Sequence, residues 1–321
     1  MHVRGIGYAL AASAMFGLGA VLAKLLTGEI DITIISLLAL VVGGLLLGGA
    51  LALSGAPLVR VLRGLSPAEW FQLFLLACPG TALPLLVIVA GFTRTSALEG
   101  GLLLQLNGLA ALFFAVLLLG ERLRLAQGLG IALLLLGGAL VVVSGARGGA
   151  GGGSSLGDLL ILAGAAGLGF GFIPAKRLGA RIDPLRLSAL RLLVGAVTLA
   201  PILAVWLLVS AHAPLWQPSL TSLWALPVYI VTNFALGYLA QQAGLRMLKA
   251  WEVAAIGQTA PIFSTIFAVL LLRDSLTLLQ GAGGLLAALG GLVVSLSAQA
   301  TPPAALPDDV LARRQDRPAG G

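Results

Sequence analysis

The sequence predicts an all-α integral membrane protein whose ten transmembrane helices form two inverted five-helix repeats, and three observations lead there. Of the 321 residues, 59% are apolar and 10% charged, against about 45–50% apolar and about 25% charged in a soluble domain. With a mean hydropathy of +1.06, a water-soluble fold would expose large greasy patches and aggregate. The apolar residues fall in continuous runs of about 20, the length one helix needs to cross a hydrocarbon core of about 30 Å. The pattern of the first half recurs in the second.

Breaks made of charge, Gly or Pro delimit the spans in order. The first, 5–27, is separated by Asp31 from the second, 32–53. Arg60 and Arg63 precede the third, 69–91. The fourth, 96–119, opens around Glu99 and stops before Glu121 and Arg122, and the fifth covers 124–145. The sixth, 156–178, reaches Lys176 and Arg177; Asp183 introduces the seventh, 184–210. The eighth, 222–246, ends at Arg246; the ninth, 250–272, ends at Arg273 and Asp274; the tenth is 276–298. The runs lack the ten-residue alternation of a membrane barrel, so they read as helices. The domains are therefore residues 1–145, a first repeat; 146–155 (ARGGAGGGSS), a flexible linker; 156–298, a second repeat; and 299–321, a Pro-containing charged tail expected to be disordered and cytoplasmic.

The chemical inventory is narrow. One cysteine, Cys78, and two histidines, His2 and His212, exclude an intramolecular disulfide and make a Cys/His zinc site implausible. No cofactor is called for, and no nucleic-acid partner: a net charge of +7 in such a chain marks cytoplasmic loops. No cleavable signal peptide is evident, because the first apolar stretch is as long as a spanning helix.

The repeat is specific. At an offset of 153, Ala97–Ser144 aligns with Ala250–Ser297 without a gap and 20 of 48 positions are identical, including Glu99/Glu252, Gln105/Gln258, Gln127/Gln280 and Gly137-Gly138/Gly290-Gly291; Glu121 faces Asp274. At an offset of 152, Gly17/Gly169, Gly19/Gly171, Lys24/Lys176, Asp31/Asp183 and Ser36/Ser188 match. Two leucine-rich helices resemble each other by composition, but matched Glu, Gln, Lys and Asp do not arise that way. Five helices is an odd number, so the second half enters the membrane in the opposite sense. Inverted repeats place a substrate near the bilayer midplane between halves that rock.

With the N-terminus inside, 14 Lys and Arg residues collect on the cytoplasmic side, and Arg94, Arg147 and Arg273, with Lys24 nearby, on the other. Both termini are expected in the cytoplasm. Trp70, Trp206, Trp216, Trp224 and Trp251 fall near helix ends or in a loop, where interfacial anchors belong.

Two halves, each closing on a pattern like APIFSTIFAVLLLRDSLTLLQGAGGLLAALGGLVV, with the first copy NGLAALFFAVLLLGERLRLAQGLGIALLLLGGALVV, resemble the EamA-type transporters of the drug/metabolite transporter superfamily. The family's Pro, acid, Gln and Gly appear as Pro261, Asp274, Gln280 and Gly281, and in the first half as Glu121, Gln127 and Gly128; Gly108 stands where the second copy has Pro261. SALRLLVGAV, with Arg191, also resembles the family, and its first-half counterpart has Ala39. The resemblance spans about residues 5–298. It implies a ten-helix carrier of the bacterial inner membrane, commonly an exporter of amino acids or other small metabolites.

Polar side chains at membrane depth face the protein interior or water. Gln105 and Gln258 are repeat mates inside the fourth and ninth spans. Tyr229, Asn233, Gly237 and Gln241 recur every four residues along one face of the eighth, flanked by Tyr238 and Gln242. Thr259 and Thr265 lie around Pro261, which frees a backbone carbonyl. Gln105, Asn233, Tyr238, Gln241, Gln242, Gln258 and Thr259 are thus the expected substrate-binding set, with interhelical hydrogen bonding as the alternative. Asn107 sits about 200° around the helix from Gln105, and its mate is Ala260, so Gln105 is preferred. Glu99 and Glu252 open their helices as dipole caps or as gate and coupling carboxylates. Lys24 and Lys176 snorkel near helix ends or grip carboxylates. Arg191, seven residues into its helix, is expected to pair with an acid or helix carbonyls, and it joins Glu99, Glu252, Lys24 and Lys176 in the expected gating or coupling set.

The expected function is a secondary transporter that exports amino acids or related small metabolites by alternating access, embedded in the bilayer as a monomer or homodimer, with protons as the candidate coupling ion. An enzyme is not expected: an intramembrane enzyme needs clustered carboxylates, a nucleophile dyad or metal-binding histidines, and none is credibly placed. An ATP-driven pump needs a GxxxxGK[ST] loop, which the chain lacks, leaving only the role of membrane subunit in a multi-component pump.

Overall fold

The computed structural model describes residues 2–26, 29–55, 58–92, 94, 103–104, 106–121, 125–145, 155–210, 215–272 and 278–299. Glu99, Gln105, Asp274, linker residues 146–154 and the tail from residue 300 lie outside the described residues, as does the side chain of Gln280. Among the described residues there is no strand, only an isolated bridge between Ile30 and Trp216.

The first half comprises α1 (His2–Leu26), α2 (Ile32–Leu53), α3 (Pro67–Ala77, a π-helical turn Cys78–Ala82, then Leu83–Phe92), α4 (Leu106–Leu119) and α5 (Leu125–Gly145). The second comprises α6 (Ser155–Gly179), α7 (Pro184–Ser210), α8 (Leu220–Tyr229, a π-helical segment Ile230–Leu236, then Gly237–Met247), α9 (Ala250–Gly257 and Ala260–Leu272) and α10 (Leu278–Gln299). Among the described residues, seven helices are long and apolar enough to cross a membrane, and shorter apolar helices run over Leu106–Leu119 and Leu125–Leu140.

Starts and breaks have local causes. Ser66 accepts a hydrogen bond from Glu69 N while its own N–H donates to Glu69 Oε2 at 2.8 Å, a capping box that starts α3. Its repeat mate Ser219 caps α8 through Thr221 N at 3.1 Å. Asp31 accepts from Thr33 N to cap α2, and its mate Asp183 accepts from Arg186 N at the start of α7. The two π-helical segments begin 152 residues apart, each with a proline in or just before it, Pro79 and Pro227. A missing N–H frees a carbonyl, and the backbone widens to re-pair what it can.

The ninth and eighth spans carry irregular backbone. The ninth span is not one continuous helix: Pro261 donates no hydrogen bond, so the chain tightens at Gln258 and Thr259, whose N–H groups donate to Ala255 and Ile256 carbonyls. Along the eighth span, which widens into a π-helical segment over Ile230–Leu236, the four stripe residues make different contacts. Tyr229 stacks edge-on with Phe234, Asn233 lies against Gly19, and Gly237 against Phe16; only Gln241 reaches the interior hollow described below.

Close helix contacts repeat with the inverted symmetry of the sequence. A Cβ on Gly17 would strike the Ala260 carbonyl at 2.7 Å and the Ser264 nitrogen at 2.8 Å; a Cβ on its mate Gly169 would strike the Asn107 carbonyl and Ala111 nitrogen, both at 2.6 Å. Asn107 and Ala111 are the mates of Ala260 and Ser264. Gly137 abuts Gly283 and Ala287, while its mate Gly290 abuts Gly130 and Leu134, their mates. A Cβ on Gly19 would strike the Asn233 side chain at 2.5 Å, and one on Gly171 the Gly80 carbonyl at 2.6 Å. Contacts in which i meets j while the mate of i meets the mate of j are the signature of a two-fold axis between halves. That axis pairs α1 with α8 and α9, α6 with α3 and α4, α2 with α7, and α5 with α10.

The two ends of the bundle differ in charge. At one end Arg60, Arg181 and Arg186 lie near Glu69, which pairs with Arg181 at 3.3 Å. At the other, Glu29 accepts from Ser219 N and Oγ, and Asp31 N donates to the Leu215 carbonyl. The Ser219 bonds hold the Glu29 carboxyl below its ordinary range. Trp70, Trp216 and Trp224 are substantially exposed, as interfacial anchors require, and the side chain of Trp206 is outside the described residues. Trp251 is wholly buried: it packs in the core where α9 starts, and is no lipid anchor.

Gly137→Val and Gly290→Val should each force α5 and α10 apart and destabilise by about 1–3 kcal/mol. Their loss in detergent thermal unfolding should be similar, because two-fold symmetry relates them. Gly128→Val and Gly281→Val, whose added atoms meet open space, should leave the midpoint nearly unchanged. Equal tolerance at all four positions would contradict the packing described.

Candidate functional site

A cavity of about 210 Å³ lies between the halves, walled by α1, α4, α6, α7, α8 and α9. Ser13 stands midway along α1 and Thr81 midway along α3, so the hollow and its support reach the depth where a carrier of inverted repeats holds its cargo. Its polar lining is Ser13, Asn107, Arg191, Tyr238 and Gln241, and its apolar walls include Phe16, Leu168, Phe172 and Val253. A larger groove of about 720 Å³ between α4 and α6 is lined only by apolar side chains. It has no group that could select a polar ligand, so the smaller hollow is the better candidate.

Arg191 dominates the site. Its side chain is 4% exposed. Nε donates to Thr81 Oγ1 at 2.8 Å, Nη1 to Gln241 Oε1 at 3.0 Å, and Nη2 to the Gly80 carbonyl at 3.4 Å. The guanidinium carbon lies 4.0 Å from the centre of the Tyr238 ring, a cation–π contact. Thr81 in turn donates to the Leu76 carbonyl at 2.8 Å. The π turn of α3 therefore supplies both the hydroxyl and the carbonyl that hold the cation. Arg191 does take a helix carbonyl, as expected, but among the described residues no carboxylate pairs with it.

The remaining expected residues divide. Gln241 and Tyr238 line the cavity. Gln258, at the break in α9, donates to Asn107 Oδ1 at 3.4 Å, and its Oε1 has no partner among the described residues. Gly108 makes room for that amide, since a Cβ there would overlap it. Asn107, passed over in favour of Gln105, itself faces the cavity; Gln105 is outside the described residues. Thr259 spends its hydroxyl on the Ile256 carbonyl at 2.7 Å, closing the break. Gln242 is buried with neither amide atom paired among the described residues, and Asn233 packs on α1 beside Gly19. Ser13, which sequence reasoning missed, donates to the Ala9 and Ile256 carbonyls and ties α1 to α9. Nothing distinguishes that serine in the sequence except its place in the apolar middle of α1.

Charged residues gather at the Arg-rich end. Lys176 donates to the Leu245 carbonyl at 2.6 Å and to that of Leu248, where α8 ends. Glu121 accepts from Ala250 N at 3.0 Å and Trp251 N at 3.1 Å, and Glu252 accepts from Lys249 N at 2.8 Å. Both carboxylates thus sit on the start of α9, where free N–H groups and the helix dipole favour them. Lys24 is exposed near the end of α1, and Glu99 is outside the described residues.

The sequence matches the EamA-like transporter family twice, over residues 3–143 and again over 155–296. It is similar to an "Uncharacterized transporter" of Methanothermobacter thermautotrophicus, 23% identical over 299 residues that cover 89% of this chain and 84% of the relative. Its fold is similar to that of a crystal structure described only as that of a protein, with a TM-score of 0.77 at 19% identity over 92% of this chain and 98% of the other. With both halves matched and an all-helical apolar fold of two inverted repeats, the chain belongs to the EamA-like transporter family.

Proposed function

We propose that the protein is a secondary carrier that exports small metabolites, amino acids or related compounds, across the bacterial inner membrane by alternating access. The observation that carries this reading is the cavity at membrane depth between two inverted halves, whose largely apolar lining includes Arg191, Asn107 and Gln241 and which the broken helices α3, α8 and α9 flank. Irregular backbone is tolerated at that depth only where protein or a watery cavity satisfies it. Rocking one half against the other about the two-fold axis would close one side as it opens the other. In this reading both termini are cytoplasmic. Gln105, Gln258, Tyr238 and Gln241 meet the cargo, with Asn233, Gln242 and Thr259 behind them. Lys24, Lys176, Glu99 and Glu252 form the two gates, and protons are the coupling ion.

Reconstituted protein should move at least one member of a panel of amino acids and their close analogues across proteoliposomes, faster with an imposed pH gradient than without. Gln258→Leu should slow that movement about tenfold or more, as loss of a buried polar contact implies, without loss of expression. Transport of no panel compound under any gradient would contradict the carrier reading.

Glu99→Gln and Glu252→Gln should bias the carrier in opposite directions, since repeat mates lie toward opposite faces. Side-specific cysteine labelling together with transport against pH would read this out. Unchanged profiles and labelling in both variants would leave these carboxylates as helix caps alone, each worth about 0.3–1 kcal/mol.

A further inference from the structure

Among the described residues Arg191 is a buried cation held only by neutral groups. Removing a charge from water inside a membrane is costly unless a partner compensates it. Its partners here are a hydroxyl, an amide oxygen, a backbone carbonyl and the face of Tyr238. A guanidinium carries five N–H groups; three are engaged, which leaves two on the terminal nitrogens with no acceptor among the described residues. The same side chain lines the cavity. Among the described residues no carboxylate lines that cavity with it.

We propose that Arg191 anchors a carboxylate of the transported molecule, so that the cavity selects small amphipathic organic acids. This rests on the carrier reading above and names its substrate class. Planar guanidinium matches carboxylate in a forked, charge-assisted pair. Thr81, Gly80 and Gln241 hold the guanidinium plane, while Phe16, Leu168, Phe172 and Val253 offer apolar walls to the rest of the acid.

The two-fold repeat sharpens the assignment. The mate of Arg191 is Ala39, which is fully buried, and the mates of Gly80 and Thr81 are Asn233 and Phe234. The symmetric position therefore offers no second cation, and one cation balances one carboxylate. Because no acidic side chain among the described residues lines the cavity, an amino acid is held by its carboxylate, and its ammonium meets neutral acceptors such as Asn107 Oδ1. A 2-oxo acid should bind at least as well as the amino acid of the same carbon skeleton, and the corresponding amide poorly.

The test is thermal unfolding of the purified full-length protein in detergent, titrated with 4-methyl-2-oxopentanoate, leucine and leucinamide. Both acids should raise the midpoint of the wild type, and leucinamide should not. Arg191→Gln should weaken the acids' apparent affinity about tenfold or more. Without ligand it should unfold no lower than wild type, because it removes a buried cation that lacks a counter-charge; a purely structural arginine would give a lower midpoint. Arg191→Lys, which keeps charge but loses the fork, should retain part of the acid response.

Equal stabilisation by leucinamide, stabilisation by neither acid, or an unaltered acid titration in Arg191→Gln would overturn the proposal. The wild-type comparison of acid with amide decides even if the variant does not fold. A parallel flux assay separates the two readings. Acid-specific stabilisation without flux defeats the carrier and leaves the anchor standing. Flux of leucine and leucinamide alike, with no acid-specific stabilisation, defeats the anchor and leaves the carrier.

Discussion

Between helices already surrounded by hydrocarbon there is no water to expel, so their association depends on how closely backbones can approach and pack. Here that approach is made by glycines whose missing side chains face another helix's backbone: Gly17 on Ala260, Gly169 on Asn107, Gly171 on Gly80 and Gly137 on Gly283. Each contact has a counterpart in the other half. Remove that proximity and the Gly80 carbonyl and Thr81 hydroxyl are no longer set against α7, and Asn107 is no longer set against Gln258.

The site follows from departures within this near-symmetric frame. The two π-helical segments occupy matching places in α3 and α8, yet one presents Gly80 and Thr81 to a buried arginine while the other presents Asn233 and Phe234 to α1 and α2. The halves therefore share a mechanical plan and differ in chemistry. A duplicated scaffold can supply a hinge axis from what is the same in both halves and a binding preference from what differs.

Much of the architecture was legible in the chain, because a membrane allows few solutions: continuous apolar runs must be helices, an odd count per repeat must invert, and matched Gly, Glu and Gln are improbable by chance. The π-helical segments were not legible. Tyr229, Asn233, Gly237 and Gln241 keep a four-residue period in sequence, and only the geometry shows that Gln241 alone of the four lines the hollow while Asn233 and Gly237 pack on α1. Asn107 was set aside because its mate is Ala260, although repeat equivalence says nothing about a site that is itself asymmetric. Trp251 looked interfacial because it begins a helix; Glu121, reaching across from α4 to its N–H, places that helix start inside the protein.

The central claim is that one protein holds two copies of one fold in opposite orientations across a membrane. Gly64 and Gln217 are repeat mates in exposed loops, before α3 and before α8. With Cys78 replaced by Ser, a single cysteine at each position can be challenged with a membrane-impermeant maleimide on intact cells. The account predicts that Gln217→Cys is labelled directly and Gly64→Cys only after permeabilisation. Labelling in the reverse order would turn the protein over while keeping the halves inverted; labelling of both positions from the same side would contradict the inverted repeat itself.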